Sequence, residues 1–177
     1  MAESILIMNA AALQRALARM AHEIAESNER CADVVLVGIQ RGGVFLSARL
    51  SRILADIWKQ PLRIGTLDVS MHRDDLHQNA APQIQPTVIP FDITDKTVVL
   101  VDDVLFHGRT VRAALDALND FGRARRIQQA VLIDRGHREL PIQPDFVAKT
   151  ASTTPQERIV VNLKEEGGED KVTLERP

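Results

Sequence analysis

The sequence predicts an α/β fold in which a mostly parallel sheet is flanked by helices. Continuous apolar runs, as at residues 33–39 and 127–133, are typical of strands buried on both faces. Segments with helical spacing of apolar residues alternate with these runs, which is the pattern of helices that connect parallel strands. A third run, Val98–Thr110, reads VVLVDDVLFHGRT and places two adjacent carboxylates at the carboxyl end of a buried strand. Open α/β sheets bind their ligands at that edge.

The first half of the chain predicts two helices and two strands. Asn9 is a suitable cap for a helix that runs to about residue 30, because apolar residues then recur at three-and-four spacing. A strand at residues 33–39 leads through the loop 40–43 into a second helix, which continues to about residue 58. Residues 61–71 predict another strand.

Residues 72–86 interrupt this alternation. The segment is polar, contains Pro82 and Pro86 and shows no periodicity, so it is predicted to be a mobile loop of the kind that covers a site. A short strand is expected just before Pro90.

The second half predicts one helix and several strands, and no linker or repeat divides the chain. Residues 1–177 are therefore predicted to form a single domain, which buries roughly 70% of its unfolded surface at this length. The expected elements after the 98–105 strand are a helix at 109–121 stopped by Gly122, strands at 127–133, 146–149 and 158–164, a hairpin turn at Gly167-Gly168, and a strand at 171–174.

Composition and charge limit the function classes. The formal net charge is −2, so the chain as a whole does not attract nucleic acid, and RNA binding would need a local basic patch. No apolar run is long enough for a membrane helix, and no charged-then-apolar leader opens the sequence. The single cysteine, Cys31, excludes an intrachain disulfide and favours a reducing cytoplasm.

The residues after the apolar run at 98–101 indicate a site for a phosphorylated sugar. Asp102 and Asp103 can accept hydrogen bonds from sugar hydroxyls, while Gly108 permits a turn of unusual geometry and Thr110 opens a helix whose amino end attracts phosphate. An ordinary strand that ends in a polar loop is the simplest alternative. A nucleotide-hydrolysing site with a magnesium-binding Asp is a second alternative, but the GxxxxGK[ST] loop that it requires is absent.

The loop Gln40–Gly43 is a second candidate component. Its glycines let the backbone approach a ligand closely, and Arg41 supplies a positive charge that suits a pyrophosphate group. The alternative is an ordinary strand-to-helix turn that carries an exposed arginine.

These residues resemble the phosphoribosyl pyrophosphate (PRPP) signature of type I phosphoribosyltransferases. Further segments are similar to the PyrR family of bifunctional pyrimidine regulators. The segments that carry this resemblance span nearly the whole chain and read MNAAALQRALARMAHEI, LVGIQRGG, LDVSMHRDDL, IPFDITDKTVVLVDDVLFHGRTVRAALDAL and AVLIDRGHRELPI.

The resemblance implies a fold, two activities and a set of partners. The fold is the type I phosphoribosyltransferase fold, a Rossmann-like sheet with a flexible lid loop at about 72–86 and a small hood at about 134–177. The activities are conversion of uracil and PRPP to UMP and pyrophosphate, and attenuation of pyrimidine biosynthesis genes through RNA binding that depends on UMP or UTP. The implied cofactor is Mg²⁺ carried with PRPP or pyrophosphate, since diphosphates bind it with few protein ligands. Homodimers or homotetramers are implied as well.

The resemblance also assigns roles to residues of this sequence. Arg73, Asp74 and Asp75 at the start of the lid are implied to be catalytic together with Asp103, because the leaving pyrophosphate must be neutralised and water excluded. PRPP and UMP are implied to bind Arg41, Gly42, Asp102, Asp103, Val104, Leu105, Phe106, His107, Gly108, Arg109 and Thr110. Uracil recognition is implied for Asp134, Arg135, Gly136, His137 and Arg138, and no protein metal ligand is implied.

Three of the four proposed RNA-binding residues lie on the first helix. Arg15, Arg19 and His22 are opposite its apolar stripe, and Lys149 after a late strand is expected to join them. The alternative is a solvated helix face, because Glu26 shares it.

The chain departs from the family pattern at several positions of the site. His107 stands where the family has Thr, Gly42 where it has Arg, and Gln85 where a basic residue is expected. Three alternatives therefore stay open: a uracil phosphoribosyltransferase without RNA regulation, a regulator with weak or lost catalysis, and a transferase for another base such as a purine.

Overall fold

The computed structural model describes residues 3–74 and 83–177. A five-stranded parallel sheet with strand order β3-β2-β4-β5-β6 forms the centre of the molecule. Its strands are β2 (Val34–Ile39), β3 (Arg63–Leu67), β4 (Thr97–Leu105), β5 (Arg126–Asp134) and β6 (Phe146–Thr150), and the helices are α1 (Ala10–Ser27), α2 (Gly42–Trp58) and α3 (Arg109–Leu118).

Helices cover both faces of this sheet, which explains why its central strands are apolar without alternation. Val34, Leu36 and Val99 point to the face covered by α1 and α2, where they pack with Leu13 and Leu50. The intervening strand residues point to the opposite face and pack against α3; these include Val35, Val37, Val98 and Leu100, with Val111 and Ala114 from the helix. Every residue of β2 is buried, as expected for a central parallel strand.

A second, antiparallel sheet has strand order β1-β8-β7. It comprises β1 (Glu3–Met8), β7 (Arg158–Asn162) and β8 (Lys171–Arg176). Arg49 of α2 attaches this sheet to the rest of the molecule, because its guanidinium donates to Glu165 and Asp170 of the β7–β8 connection at 2.6–2.9 Å. Hydrogen bonds from Arg49 hold the pKa of both carboxyl groups below their ordinary values.

The small sheet differs from the predicted hood in two respects. The sequence did not predict β1, although this strand pairs with β8 along the whole edge. Residues 134–177 were expected to build the hood together, but β6 lies within this range and belongs to the main sheet.

Several predicted boundaries were wrong. The helix expected to reach about residue 30 ends at Ser27, because the side chain of Asn28 turns back to donate to the carbonyl of Ile24 and to Gln128. The strand predicted at 61–71 covers only Arg63–Leu67, and the strand predicted before Pro90 is a single bridge between Thr66 and Val88.

The late elements also differ in detail from the prediction. β7 ends at Asn162 rather than at residue 164, and the Gly167-Gly168 pair does not form a tight hairpin. Instead the loop 163–170 connects β7 to β8, and within it Gly167 adopts a left-handed conformation after a short 3-10 turn.

No helix in the described part of the chain has both the length and the apolar character needed to cross a membrane.

Candidate active site

The carboxyl end of β4 carries the two adjacent aspartates into the centre of the candidate site. Asp102 is only 6% exposed, and Asp103 is half-buried beside it. One oxygen of each carboxylate accepts a backbone hydrogen bond, from the amide of Asp103 at 2.9 Å and from that of Val104 at 2.8 Å. Burial, and next the negative charge of Asp103, raise the pKa of Asp102 well above its ordinary value.

The turn after β4 forms a cradle with free backbone donors. Gly108 has a φ of 92°, a left-handed conformation that favours glycine, and α3 begins at the next residue. In the described part of the chain, no acceptor is bonded to the backbone amides of residues 107–110. A cavity of about 80 Å³ lies against this turn and is lined by Arg73, Asp102 and residues 104–110. Free amides at the amino end of a helix favour a phosphate group.

The β2–α2 loop closes in on the twin carboxylates from the neighbouring strand. A Cβ atom on Gly42 would lie 2.5 Å from Oδ2 of Asp103, and one on Gly43 would overlap the carbonyl oxygen of Val101. The peptide bond between Gln40 and Arg41 is cis. A larger residue at position 42 would therefore displace the loop from Asp103.

Arg41 itself points along the edge of the sheet. Its guanidinium donates to Oε1 of Gln83 at 2.5 Å, and the side-chain amide of Gln40 donates to the carbonyl of Pro86. The positive charge of this loop thus lies against the far end of the expected lid.

The near end of the expected lid brings Arg73 onto the cradle. Nη1 of Arg73 donates to Oγ1 of Thr110 at 3.2 Å, so the arginine faces the same cavity as the free amides. The third predicted residue of this group, Asp75, lies outside the described residues, as does most of the expected lid.

Asp68 fixes both ends of this segment. Its carboxylate accepts from the amide and hydroxyl of Ser70 at 2.8 and 2.6 Å, and its other oxygen accepts from the amide of Gln85. Burial acts to raise the pKa of Asp68, but the hydrogen bonds from Ser70 and Gln85 outweigh it and hold the pKa below its ordinary value. The sequence did not point to Asp68 because the predicted strand extended to residue 71. With the strand ending at Leu67, Asp68 is the first residue at its carboxyl end, and this position would have marked it as a site residue.

Arg109 connects three parts of the site. It donates to Oδ2 of Asp74 at 2.8 Å and to Oε2 of Glu139 at 2.7 Å. The backbone amide of Glu139 in turn donates to the carbonyl of His107. Arg109 thus joins the lid root and the segment after β5 to the first turn of α3, and Glu139 is a second residue that sequence analysis missed.

The segment after β5 lies across the same crevice. Asp134 accepts from Arg138 at 2.7 Å and from the amide of Gly136 at 3.0 Å, and Arg138 also donates to the carbonyls of Phe106 and Ile142. These hydrogen bonds lower the pKa of Asp134, although burial acts to raise it. The charged side chains of Asp134 and Arg138 therefore hold the shape of this segment.

Arg135 is also held by contacts with other residues of the protein. It is 7% exposed, donates to Thr153 and to the carbonyl of Thr154, and places its guanidinium carbon 3.8 Å from the centre of the Phe106 ring. Burial lowers its pKa. The ring of Phe106 also stacks on His107 at 3.6 Å, so the histidine that replaces the family's Thr is packed against protein.

Gly136 and His137 give this segment an open backbone. Both have positive φ values, 73° and 58°, which is strained for histidine. Nε2 of His137 lies 2.6 Å from the carbonyl of Thr153. Within residues 3–74 and 83–177, no hydrogen bond uses the backbone amides of His137 and Arg138.

The four predicted RNA-binding residues lie outside this crevice. Arg15, Arg19 and His22 are on the exposed side of α1, which packs against β6. Arg19 bonds to Glu23 at 2.7 Å and to the carbonyl of Ala148 at 2.5 Å, while Lys149 donates to the carbonyl of Ile7 at 3.2 Å. The fold thus brings Arg19 and the strand that carries Lys149 together, although both side chains already have partners.

Comparison with known proteins identifies the family. Residues 7–165 match the family model described as a phosphoribosyl transferase domain. The chain is 54% identical over 171 residues to the Bifunctional protein PyrR of Chloroflexus aurantiacus, covering 96% of this chain and 94% of that protein. The Bifunctional protein PyrR of Halalkalibacterium halodurans is 50% identical over 176 residues, covering 98% of each chain. This chain belongs to the PyrR family.

Solved structures agree on the fold of this PyrR family member. A hypoxanthine-guanine phosphoribosyltransferase from Bacillus anthracis superposes with a TM-score of 0.72 at 16% identity, covering 96% of both chains. The hypoxanthine phosphoribosyltransferase of Trypanosoma cruzi in complex with the product IMP gives a TM-score of 0.73 at 20% identity, covering 99% of this chain and 91% of that chain. The type I phosphoribosyltransferase fold predicted from the sequence is therefore confirmed.

The raised pKa of Asp102 predicts that this side chain lowers the stability of the folded protein at high pH. A carboxyl group whose pKa is raised by folding destabilises the folded state increasingly as the pH rises from about 4 through the raised value. Asp102→Asn removes this cost and keeps an acceptor for the amide of Asp103. We expect the variant to unfold at a higher temperature than the wild type at pH 8, by roughly 2–4 °C per kcal/mol gained, with a smaller difference at pH 5. Thermal unfolding between these pH values, without ligand, measures it.

The matched control is Asp56→Asn, which changes an exposed aspartate on α2. Its difference from the wild type should not change with pH in this range. Parallel pH dependence of the wild type and the Asp102 variant would contradict the assignment of a destabilising charge.

Proposed function

We propose that this chain transfers the phosphoribosyl group of PRPP to uracil, and that it regulates pyrimidine genes by binding RNA according to the uridine nucleotide bound. The observation that carries the enzymatic half is the sequence of features at one strand end: twin carboxylates, then a turn with four free amides, then a helix. Membership of the PyrR family and the match to a phosphoribosyl transferase domain support the same assignment.

The sugar phosphate binds along β4 and the start of α3. The 5-phosphate accepts hydrogen bonds from the free amides of residues 107–110 and from the hydroxyl of Thr110. The two ribose hydroxyls donate to the carboxylates of Asp102 and Asp103. The buried position of Asp102 makes it rigid, so the ribose is held in one orientation.

The pyrophosphate leaving group lies between the β2–α2 loop and the lid root. Gly42 allows the loop backbone to reach the group, while Arg41 supplies positive charge from the loop and Arg73 from the lid root. Among the described residues, no group of three or more His, Cys, Asp or Glu side chains can hold a metal ion. This donor set fits Mg²⁺ that is bound mainly by the diphosphate itself, with Asp103 as the nearest half-buried carboxylate. When bound, the ion supplies charge neutralisation to the leaving group.

The base binds against the segment after β5. Uracil presents a carbonyl–NH–carbonyl edge, and the free amides of His137 and Arg138 are donors for its carbonyl oxygens. Phe106, whose ring contacts both Arg135 and His107, lies beside this segment. His137 is exposed, and its positive φ sets the direction of these amides.

The transfer breaks one bond and forms another at the same carbon. The bond from ribose C1 to the pyrophosphate oxygen breaks with its electron pair leaving on oxygen. The ring nitrogen N1 of uracil forms the new bond, and its proton passes to water or to the departing pyrophosphate. Positive charge develops on the ribose ring between these events, close to Asp102 and Asp103. Arg73 and Arg41 stabilise the opposite charge that develops on pyrophosphate.

Regulation by RNA uses the exposed side of α1. Arg15, Arg19, His22 and Lys149 supply phosphate contacts for the leader RNA of pyrimidine genes, and UMP or UTP in the crevice favours this binding. The protein acts in the cytoplasm as a homodimer or homotetramer, in which the basic faces of two chains combine. The free Cys31 is compatible with that reducing compartment.

Substrate selectivity tests the enzymatic half. The protein with PRPP and Mg²⁺ is expected to release pyrophosphate with uracil, and at least about 100-fold more slowly with hypoxanthine or orotate, because unpaired polar groups reject the wrong base. Coupled detection of pyrophosphate measures the rate for each base. Turnover of a purine in preference to uracil would overturn the substrate assignment, and turnover of no base would identify a regulator that has lost catalysis.

Nucleotide-dependent retention tests the regulatory half. A stem-loop from the pyrimidine leader of the genome that encodes this chain is expected to bind tightly with UMP and about tenfold more weakly without it. Gel retention with and without UMP measures this ratio, and AMP serves as the control nucleotide. No retention in any condition would leave a uracil phosphoribosyltransferase without RNA regulation.

A double-mutant cycle tests the bridge at Arg109. Because Asp74 is held by Arg109, which also holds Glu139, we expect Asp74→Asn to lower kcat/KM for PRPP by about tenfold, Arg109→Met to lower it at least as much, and the double variant to lower it no further than Arg109→Met alone. Arg112→Met is the matched control, since this arginine lies 3.6 Å from Asp74 but also pairs with Asp116. Losses that multiply in the double variant would show that the two residues act independently.

A further inference from the structure

The amino-terminal edge of the main sheet carries a second polar cavity, at the opposite ends of the strands from the active site. Its volume is about 420 Å³, and β2, β4 and β5 begin beside it. The lining residues are Ser27, Asn28, Glu29, Arg30, Asp33, Val34, Thr97, Arg125 and Arg126. Neither the proposed reaction nor the α1 surface uses this cavity.

Arginines dominate the charge of this edge. The β4–β5 side supplies Arg123, Arg125 and Arg126 within four residues, and Arg30, three residues after the end of α1, lines the same cavity as Arg125 and Arg126. All four side chains are exposed. Within the described ranges no acidic side chain lies in ion-pair distance of Arg123, Arg125 or Arg126, whereas Arg109 and Arg138 of the active site have such partners.

Two acidic residues of this edge, Asp33 and Asp92, already contact cations or a backbone amide. Asp33 lies 3.7 Å from Arg30 and 3.9 Å from Lys96, so two cations share its charge. The Asp92 carboxylate accepts from the amide of Thr94 at 2.8 Å. Glu29 lines the cavity as well, so its lining carries three arginines, Arg30, Arg125 and Arg126, against two acidic side chains, Glu29 and Asp33.

The backbone under these arginines is rigid. The amides of Arg125 and Arg126 both donate to the carbonyl of Lys96, and the amide of Asp95 donates to the carbonyl of Arg123. Gly122, with a φ of 128°, packs so closely that a Cβ atom would lie 2.5 Å from Asp92. Fixed backbone reduces the entropy that the arginines lose when they bind a ligand.

The lining of the cavity favours one class of ligand. It contains no aromatic side chain on which a base or another flat ring could stack, and its only aliphatic side chain is Val34. Exposed, unpaired arginines along an edge bind the repeated phosphates of a nucleic acid strand through charge and bidentate hydrogen bonds. A single nucleotide would find charge there but no surface for its base.

We propose that Arg125 and Arg126, with Arg30 and Arg123 beside them, bind the phosphate backbone of RNA at the amino-terminal edge of the sheet. This surface, the amino-edge patch, extends the RNA site beyond α1, whose last residue Ser27 lines the same cavity. From Arg15 to Ser27 the helix rises about 18 Å, so one RNA strand can span both surfaces. The inference rests on the proposed regulatory function.

The test compares two variants that remove the same charge. Arg125→Gln with Arg126→Gln alters the amino-edge patch, and Arg158→Gln with Lys171→Gln alters two exposed residues of the small sheet. Binding of the pyrimidine-leader stem-loop to the full chain with UMP is measured by fluorescence anisotropy between 50 and 200 mM salt. Uracil-dependent pyrophosphate release and the Tm are recorded for each protein.

The patch variant is expected to bind roughly tenfold more weakly, with a slope of log K against log salt shallower by about 1.5–2, since two phosphate contacts are lost. Its catalytic rate and Tm should match those of the wild type, and the control variant should bind like the wild type. Equal binding by the patch variant, or an equal loss in the control, would overturn the amino-edge patch while leaving the regulatory function intact. Absence of RNA binding by the wild type would overturn both the amino-edge patch and the regulatory function. Displacement of RNA by tripolyphosphate from the wild type but not from the patch variant would support binding of RNA phosphates by the patch.

Discussion

The close approach of the β2–α2 loop to the end of β4 is the constraint on which the candidate site depends. It requires two consecutive residues without a Cβ atom, because Gly42 packs on the carboxylate of Asp103 and Gly43 on the carbonyl of Val101. This packing brings a backbone turn beside two carboxylates, which would otherwise repel an incoming diphosphate. The same packing buries Asp102, raises its pKa and makes the site a place where the fold gives up stability for function.

Ion pairs fix the positions of charged side chains at the carboxyl ends of the main-sheet strands, the catalytic edge, where a highly charged substrate is proposed to bind. Arg73 reaches the cradle, Arg109 holds Asp74 and Glu139, and Arg138 holds Asp134. These contacts join the lid root, α3 and the segment after β5. The arginines that hold carboxylates shape the site, while Arg41, which donates to Gln83, and Arg73, which donates to Thr110, are the ones proposed to meet pyrophosphate.

The sequence predicted the parts of the molecule whose signals are local. β4 and its twin aspartates were placed correctly because an apolar run fixes the strand and the following Gly108 fixes the turn. β1 was not predicted because its partner β8 lies at the other end of the chain, so residues near β1 in the sequence do not indicate that it pairs. The partners of Arg109 were equally hidden, since Asp74 and Glu139 are 35 and 30 residues away. The internal bonds of Arg135 and Arg138 likewise depend on tertiary contacts that a motif does not contain.

The arginines at the carboxyl-terminal edge of the main sheet have different surroundings from those at its amino-terminal edge. This difference explains how a chain of net charge −2 can bind both an anionic substrate and RNA. At the catalytic edge, carboxylates hold several arginines in fixed positions, so the field is focused on a small cavity. At the amino-terminal edge, Arg125 and Arg126 lack acidic partners among the described residues and stand on a backbone fixed by Lys96. Paired arginines select a small ligand by geometry, and unpaired arginines on a rigid edge attract a polymer by charge. Because the strands that connect the edges are buried and rigid, each edge can be altered without displacing the other.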